Sequence, residues 1–322
     1  MPTAFVTGAT GFLGAALVRQ LVAEGWRVRA LLRPQANDLL LRDLPAIERI
    51  EGDLLDSTGY RPALSGCDAL FHTAAIYTHD PIHVPMMFWV NVEGARTILQ
   101  AASLAGVPRI VHTSTIGVIY QPPNGSLATE GSGVDPVDAS DYVRSKLAGE
   151  QIALALADGG APIIIVHPSA MLGPGDWRPS ASGRRFLDAV QNRSGWRQRY
   201  PAGGINWTPV QDVARGMILA AERGQPGRRY LLGHRQGNLD ARAFARLIAQ
   251  ATGRRPRPDL SADLRRLARS LQPWPTPPAP DAGPIRLTCD PSRAITELGM
   301  PQTSLLAAAQ TEYAWYREQG YL

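Results

Sequence analysis

The chain has 322 residues, 44% hydrophobic and 19% charged, with 31 Gly and 27 Pro, a composition that excludes disordered and collagen-like classes. At this length roughly three quarters of the unfolded surface can be buried, enough for one large core and a second, smaller lobe. The formal charge of +5 comes from 33 basic and 28 acidic residues scattered without a basic run or a stripe of interleaved aromatics, so nucleic acid is not an expected partner.

The first half alternates short β-rich runs with helical patterns. Thr3 to Thr7 (TAFVT) predicts a strand, Leu13 to Glu24 a helix and Arg27 to Leu32 (RVRALL) a second strand. Asp68 to Thr73 and Arg109 to Ser114 predict further strands, with one long helix, Met86 to Ala105, between them. Another helix, Tyr142 to Asp158, precedes the strand Pro162 to His167. Near-continuous apolar strands alternating with helices predict an α/β fold, a doubly wound parallel sheet covered on both faces. A dinucleotide-binding Rossmann domain is therefore expected over residues 1–167.

From His167 onward the rhythm changes to loops rich in Gly, Pro, Arg and Trp. Helices are expected at Gly183 to Asn192, Asp212 to Arg223 and Leu305 to Glu318, and a strand at Arg229 to Leu232. Pro density over residues 272–284 forbids regular structure. Residues 168–322 are expected to form mainly a C-terminal substrate lobe, with segments near 205–233 returning to the core. The N-terminus carries neither a charged leader nor an apolar one, and no run of about 18 apolar residues occurs, so a cytoplasmic protein without membrane attachment is expected. Cys67 and Cys289 show no ligand or disulfide spacing and read as buried small hydrophobes.

The first strand runs straight into Thr7-Gly8-Ala9-Thr10-Gly11-Phe12-Leu13-Gly14 and then a helix. Here Gly8 permits the tight turn, Gly11 lets backbone approach a pyrophosphate and Gly14 lets the helix pack closely, while the helix N-terminus favours phosphate. The spacing is G-x-x-G-x-x-G rather than G-x-G-x-x-G. At the end of the second strand stands Arg33, with no carboxylate before Asp38. A base at this position accommodates a ribose 2′-phosphate, so NADP is expected over NAD. Asp53 after the third strand is placed to bond the adenine amino group and Leu54 to pack on its ring. Thr73, Ala74 and Ala75 supply small residues against which a cofactor can lie.

Of the 33 basic residues 32 are Arg, and the single Lys is Lys146. It stands four residues after Tyr142, on the same helical face, where an ammonium supports proton exchange by a phenol. Arg does not replace a compact cation in a small space. Thr115, closing the run Thr113-Ser114-Thr115, offers a hydroxyl to the same substrate oxygen. His79 and His83 are four apart, but Pro81 breaks the helix that would align them and no third ligand follows, so no metal is expected.

With these motifs in place, the chain resembles the extended short-chain dehydrogenase/reductases, and within them the dihydroflavonol-reductase-like branch. The similarity runs through TGATGFLG, VRALLRP, EGDLLD, LFHTAA, NVEGAR, IVHTST, YVRSK, IVHPSAMLGPGD, WTPVQDVARG and ELGMPQTSL. The resemblance implies Tyr142 as acid/base, Lys146 bonding the nicotinamide ribose and tuning Tyr142, and Thr115 polarising the carbonyl. It implies Asn91 bracing the helix, cofactor contacts from Thr113, Ser114, Tyr142, Lys146, His167 and Pro168, and a homodimer built on the two long helices. Thr115 departs from the branch's usual Ser and His167 from its frequent Asn, which keeps the hydroxyl but leaves the nicotinamide-side contacts open.

The activity these readings predict is hydride transfer between NADP(H) and a small-molecule carbonyl or secondary alcohol. Resemblance to the hopanoid-associated sugar-epimerase-like group, together with Arg184, Arg185, Arg193, Arg197 and Arg199 as diphosphate ligands, supports the alternative of a nucleotide-sugar epimerase or dehydratase retaining NAD(P). A non-catalytic redox sensor is disfavoured because it does not need the Tyr/Lys pair. Met171, Tyr77, Trp177, Trp196 and Trp207 are candidates for an apolar pocket wall.

Overall fold

A computed structural model of the chain describes residues 1–44, 47–122, 124–133, 139–193, 197, 200, 203–254 and 286–322. The Pro-rich stretch 272–284, Trp196 and Arg199 lie outside them. Seven parallel strands run β1 (Thr3–Thr7), β2 (Arg27–Leu32), β3 (Glu48–Glu51), β4 (Ala69–His72), β5 (Ile110–Thr113), β6 (Ile163–Pro168) and β9 (Arg229–Leu232), in the order β3-β2-β1-β4-β5-β6-β9. Successive crossovers leave β1 in opposite directions, to β2 and to β4, which opens a crevice at the carboxyl ends of these strands.

Side-chain alternation on the strands feeds two cores. Ala4, Val6, Phe71, Val111, Ile164 and Val166 face α1 (Phe12–Ala23) and α7 (Val210–Arg223). Phe5, Leu70, Ile110, Ile163 and Ile165 face α4 (Ala95–Leu104) and α5 (Asp141–Asp158). Burial on both sides explains why these strands read as apolar runs instead of alternating ones. Among the described residues no helix is long and apolar enough to cross a membrane.

The expected single helix from Met86 to Ala105 is instead α3 (Val84–Phe88), a π turn at Trp89–Gly94, and α4. Such a bulge swings a side chain inward at the cost of helical regularity. Here it presents Asn91, which is 2% exposed and bonds both backbone groups of Ile76 and the Ser145 hydroxyl.

A second layer holds β7 (Ala170–Leu172), β8 (Ile205–Pro209) and β10 (Asn238–Leu239), with α6 (Ala181–Val190), α8 (Ala241–Thr252) and α9 (Leu305–Glu318). Its core packs Trp207 flat on Phe244, ring centroids 4.4 Å apart, beside Phe186, Tyr200 and Tyr316. Trp207 is therefore a core residue and not pocket wall; its Nε1 donates to Tyr200 Oη at 2.7 Å. Cys67 and Cys289 are buried and free.

Candidate active site

A long cleft runs along the carboxyl edge of the large sheet, beneath the second layer. At one end β1 turns into α1 through the glycine triplet. Gly8 has φ +73°, and a Cβ there would lie 2.6 Å from Ala74 N. A Cβ on Gly14 would lie 2.1 Å from the Gly8 carbonyl oxygen, so both positions are held by close backbone approach. The first turn of α1 has no side-chain cap and no acidic residue, leaving N–H groups free to meet an anion.

Thr7, Gly8, Thr10, Gly11, Phe12, Leu13, Arg33, Asp53, Leu54, Thr73, Ala74 and Ala75 all line this part of the cleft. Gly14 does not; it supports the turn from behind. Thr73 Oγ1 donates to the Thr7 carbonyl at 2.7 Å, and Thr7 Oγ1 lies 2.8 Å from His72 Nδ1. Asp53 Oδ1 accepts from Leu55 N at 2.9 Å. Arg33 is exposed at the rim and has no side-chain partner among the described residues. The nearby carboxylate Asp38 is drawn away by Arg42 and Arg49, each at 3.3 Å.

Midway along the cleft, Thr113, Ser114, Thr115, Tyr142 and Lys146 share one stretch of wall. Helix α5 is started by Ser140, whose hydroxyl accepts from Val143 N, and this cap sets Tyr142 and Lys146 on the sheet-facing side. Lys146 Nζ donates to the Thr113 carbonyl at 2.6 Å. Burial pushes its pKa down to about 8, against the pull of Glu150. Tyr142 packs edge-on against Tyr77, centroids 4.8 Å apart, and burial pushes its phenol up to about 12.

The spacing alone predicts that Lys146 draws the phenol toward its anion. In the structure the ammonium is turned to the Thr113 carbonyl, and burial with the neighbouring Tyr77 raises the phenol instead of drawing it toward its anion.

His167 does not reach the cleft wall expected of it. Its ring is fully buried, with Nε2 2.9 Å from Glu150 Oε2, whereas its neighbour Pro168 does line the cleft. Ser114 also turns its hydroxyl to Glu150, at 2.5 Å. Asn91 lies behind the wall and braces α5 through Ser145. Sequence reasoning missed Glu150 and Ser145; the only signal was that Glu150 continues the four-residue spacing of Tyr142 and Lys146.

Tyr77, Met171 and Trp177 also line the cleft, as do Arg184, Arg185 and Arg193. Trp177 Nε1 reaches the Thr10 carbonyl at 3.5 Å, and its own carbonyl is tied to Tyr321 Oη. Arg197 is not on the wall. His79 bonds Tyr77 and His83 bonds Asp80, so the two rings point to separate partners.

Against this geometry, the model of the NAD dependent epimerase/dehydratase family matches residues 4–233. The chain belongs to that family. As a member of it, the chain is an enzyme of the extended short-chain dehydrogenase/reductase type, with a nicotinamide cofactor. It is 37% identical to "Sterol demethylase protein B" of Methylococcus capsulatus, over 99% of this chain and 100% of that protein. It is 34% identical to a "Putative dihydroflavonol 4-reductase" of Synechocystis, covering 99% and 95%. The fold superposes on a nucleoside-diphosphate-sugar epimerase from Pseudomonas aeruginosa with a TM-score of 0.79 and 27% identity, over 100% and 99% of the two chains.

Proposed function

We propose that this family member is an NADP(H)-dependent oxidoreductase that interconverts a small-molecule carbonyl and the corresponding secondary alcohol. The observation that carries the reading is a half-buried phenol, Tyr142, on the same stretch of cleft wall as the sole ammonium, Lys146, and the Thr115 hydroxyl. The glycine-turn end of that cleft fits a dinucleotide, because Gly8 and Gly11 line it without side chains and the helix start beside them is uncapped.

A reduced nicotinamide supplies a hydride to the carbonyl carbon. Tyr142 gives its proton to the carbonyl oxygen, Thr115 donates a hydrogen bond to that oxygen, and Lys146 stabilises the phenolate left behind. Asn91 keeps α5 in register with Ile76 and so holds these groups in place.

Arg33 supports NADP over NAD: an unpaired guanidinium at the end of β2, with Asp38 engaged elsewhere, suits a 2′-phosphate and lacks the carboxylate a free 2′-hydroxyl calls for. The test is a panel of aldehydes and ketones followed at 340 nm with NADPH and NADH. Net oxidation of NADPH is expected, and Arg33→Asp is expected to lower the NADPH/NADH preference by about tenfold or more, the loss of one charge-assisted contact. An unchanged ratio removes Arg33 from the assignment.

A second reading, nucleotide-sugar epimerisation, is favoured by Arg184 and Arg185 on the cleft wall. Conversion of a nucleotide sugar without net nicotinamide consumption would decide for it.

We also assign homodimerisation to the α3–α4 and α5 side, where Met86, Trp89 and Leu104 are 53%, 57% and 75% exposed. Light scattering is expected to give twice the chain mass, falling to one chain in Trp89→Glu; a monomeric wild type sinks the assignment.

A further inference from the structure

Glu150 is fully buried, yet it is a carboxylate. It follows Lys146 by one helical turn, as Lys146 follows Tyr142, so phenol, ammonium and carboxylate form one line along α5. Strand β5 and the residue after it serve both charges: the Thr113 carbonyl accepts from Lys146 Nζ, and the Ser114 hydroxyl donates to Glu150 Oε2. The same carboxylate lies 2.9 Å from His167 Nε2, on β6, and 2.8 Å from Arg229 Nε, on β9. A buried carboxylate survives ionised only with such partners. Burial acts to raise the pKa of Glu150, but His167, Ser114 and Arg229 together hold it below the usual carboxylate range.

We propose that Glu150 is a positioning residue for Lys146, a buried negative charge one turn behind the ammonium that keeps it protonated and seated on the Thr113 carbonyl. The inference rests on the role given to Lys146 above. Other charged or titratable groups facing the pair are Tyr142 on α5, His72 on β4, His112 on β5, His167 on β6 and Arg229 on β9. The helix facing α5 contributes the neutral amide of Asn91. His72 and His112 are kept neutral by burial, with Lys146 pressing the same way. Glu150 is thus the nearby anion that opposes the desolvation of Lys146. Arg229 stands at the sheet edge, 22% exposed, where water screens it only in part.

Because the chain has one lysine, protein labelled with [13Cε]-lysine gives a single ε resonance that titrates with this amine alone. In Glu150→Gln, which keeps the volume and an oxygen for Ser114, the midpoint is expected to fall by about one pH unit or more. The alkaline limb of the reduction profile is expected to move down with it. Arg229→Gln removes a competing cation and is expected to move the midpoint upward. A purely structural role for Glu150 lowers the melting temperature and leaves the midpoint where it was, which overturns the proposal. Should Glu150→Gln fail to fold, Arg229→Gln decides alone: a rise supports the coupling, and no change or a fall overturns it. The resonance is read without cofactor or substrate, so it stands apart from the reductase reading, which nicotinamide consumption tests separately.

Discussion

Replacing Tyr142 by Phe is expected to lower turnover by about 10²- to 10⁴-fold, the usual worth of a positioned general acid, while leaving cofactor affinity within about twofold. The substitution removes one oxygen and keeps the ring. The edge-on packing against Tyr77 and the start of α5 at Ser140 therefore survive, and the glycine turn proposed to hold the dinucleotide is untouched. The phenol makes no hydrogen bond to another described side chain, so its loss leaves no orphaned partner. Steady-state rates at 340 nm together with cofactor fluorescence separate the two effects. Turnover near wild type would take the proton-transfer role from Tyr142 and leave the cleft without an acid at that position.

Gly14→Ala is expected to destabilise the fold by about 3 kcal/mol, a fall in Tm of roughly 6–12 °C. A Cβ there would lie 2.1 Å from the Gly8 carbonyl oxygen, 2.7 Å from its carbon and 2.9 Å from Thr73 Oγ1. Two of those three atoms are main chain at the tightest point of the β1–α1 turn. Relief requires α1 to slide on β1, and α1 carries Leu17, Val18 and Leu21 in the large core. The same slide widens the phosphate-facing turn, so cofactor binding is expected to weaken with stability. Thermal unfolding with and without NADPH checks both; an unchanged Tm would mean that the turn accepts a methyl group without strain.

What the sequence made legible was what local spacing encodes. The strands Thr3–Thr7, Arg27–Leu32 and Arg229–Leu232 and the helix Leu305–Glu318 have the expected ends, because apolar runs end there against glycine, proline or a capping serine. The strands β7, β8 and β10 were not foreseen: they are two to five residues long, too short for a period-two pattern to stand out. The helix Ala241–Thr252, absent from the expected elements, is marked in the sequence by its cap, Asp240. The π turn at Trp89–Gly94 escapes a 3.6-residue pattern because it redirects one residue in the middle of an otherwise regular helix.

The site divides in the same way. Tyr142 and Lys146 are visible as a pair four apart, and the glycines as a turn between strand and helix. Asn91 carries no local sign of its role and came only through family likeness, since its partners Ile76 and Ser145 are 15 and 54 residues away. Glu150, His167 and Arg229 meet only when helix α5 and the parallel strands β6 and β9 are laid side by side. The family resemblance implies a cofactor contact from His167, but the alternation of β6 turns its ring inward and leaves Pro168 on the cleft.

Among the described residues the polypeptide passes between the two layers repeatedly: after β6 at Ser169, between β8 and α7 at Pro209 and Val210, between β9 and β10, and on both sides of Ala294 to Met300, which pack in the large core. Ser169 bonds Thr208 at 2.7 Å, and Asn206 bonds the main chain of His234 in both directions at 2.9 Å. These repeated connections and the hydrogen bonds between them tie the upper layer to the lower and oppose its swinging away as a rigid body. Admission and release of reactants then fall to the segments strung across the opening, such as the stretch bearing Trp177, and turnover should respond to the stiffness of those spans more than to any rocking of whole lobes.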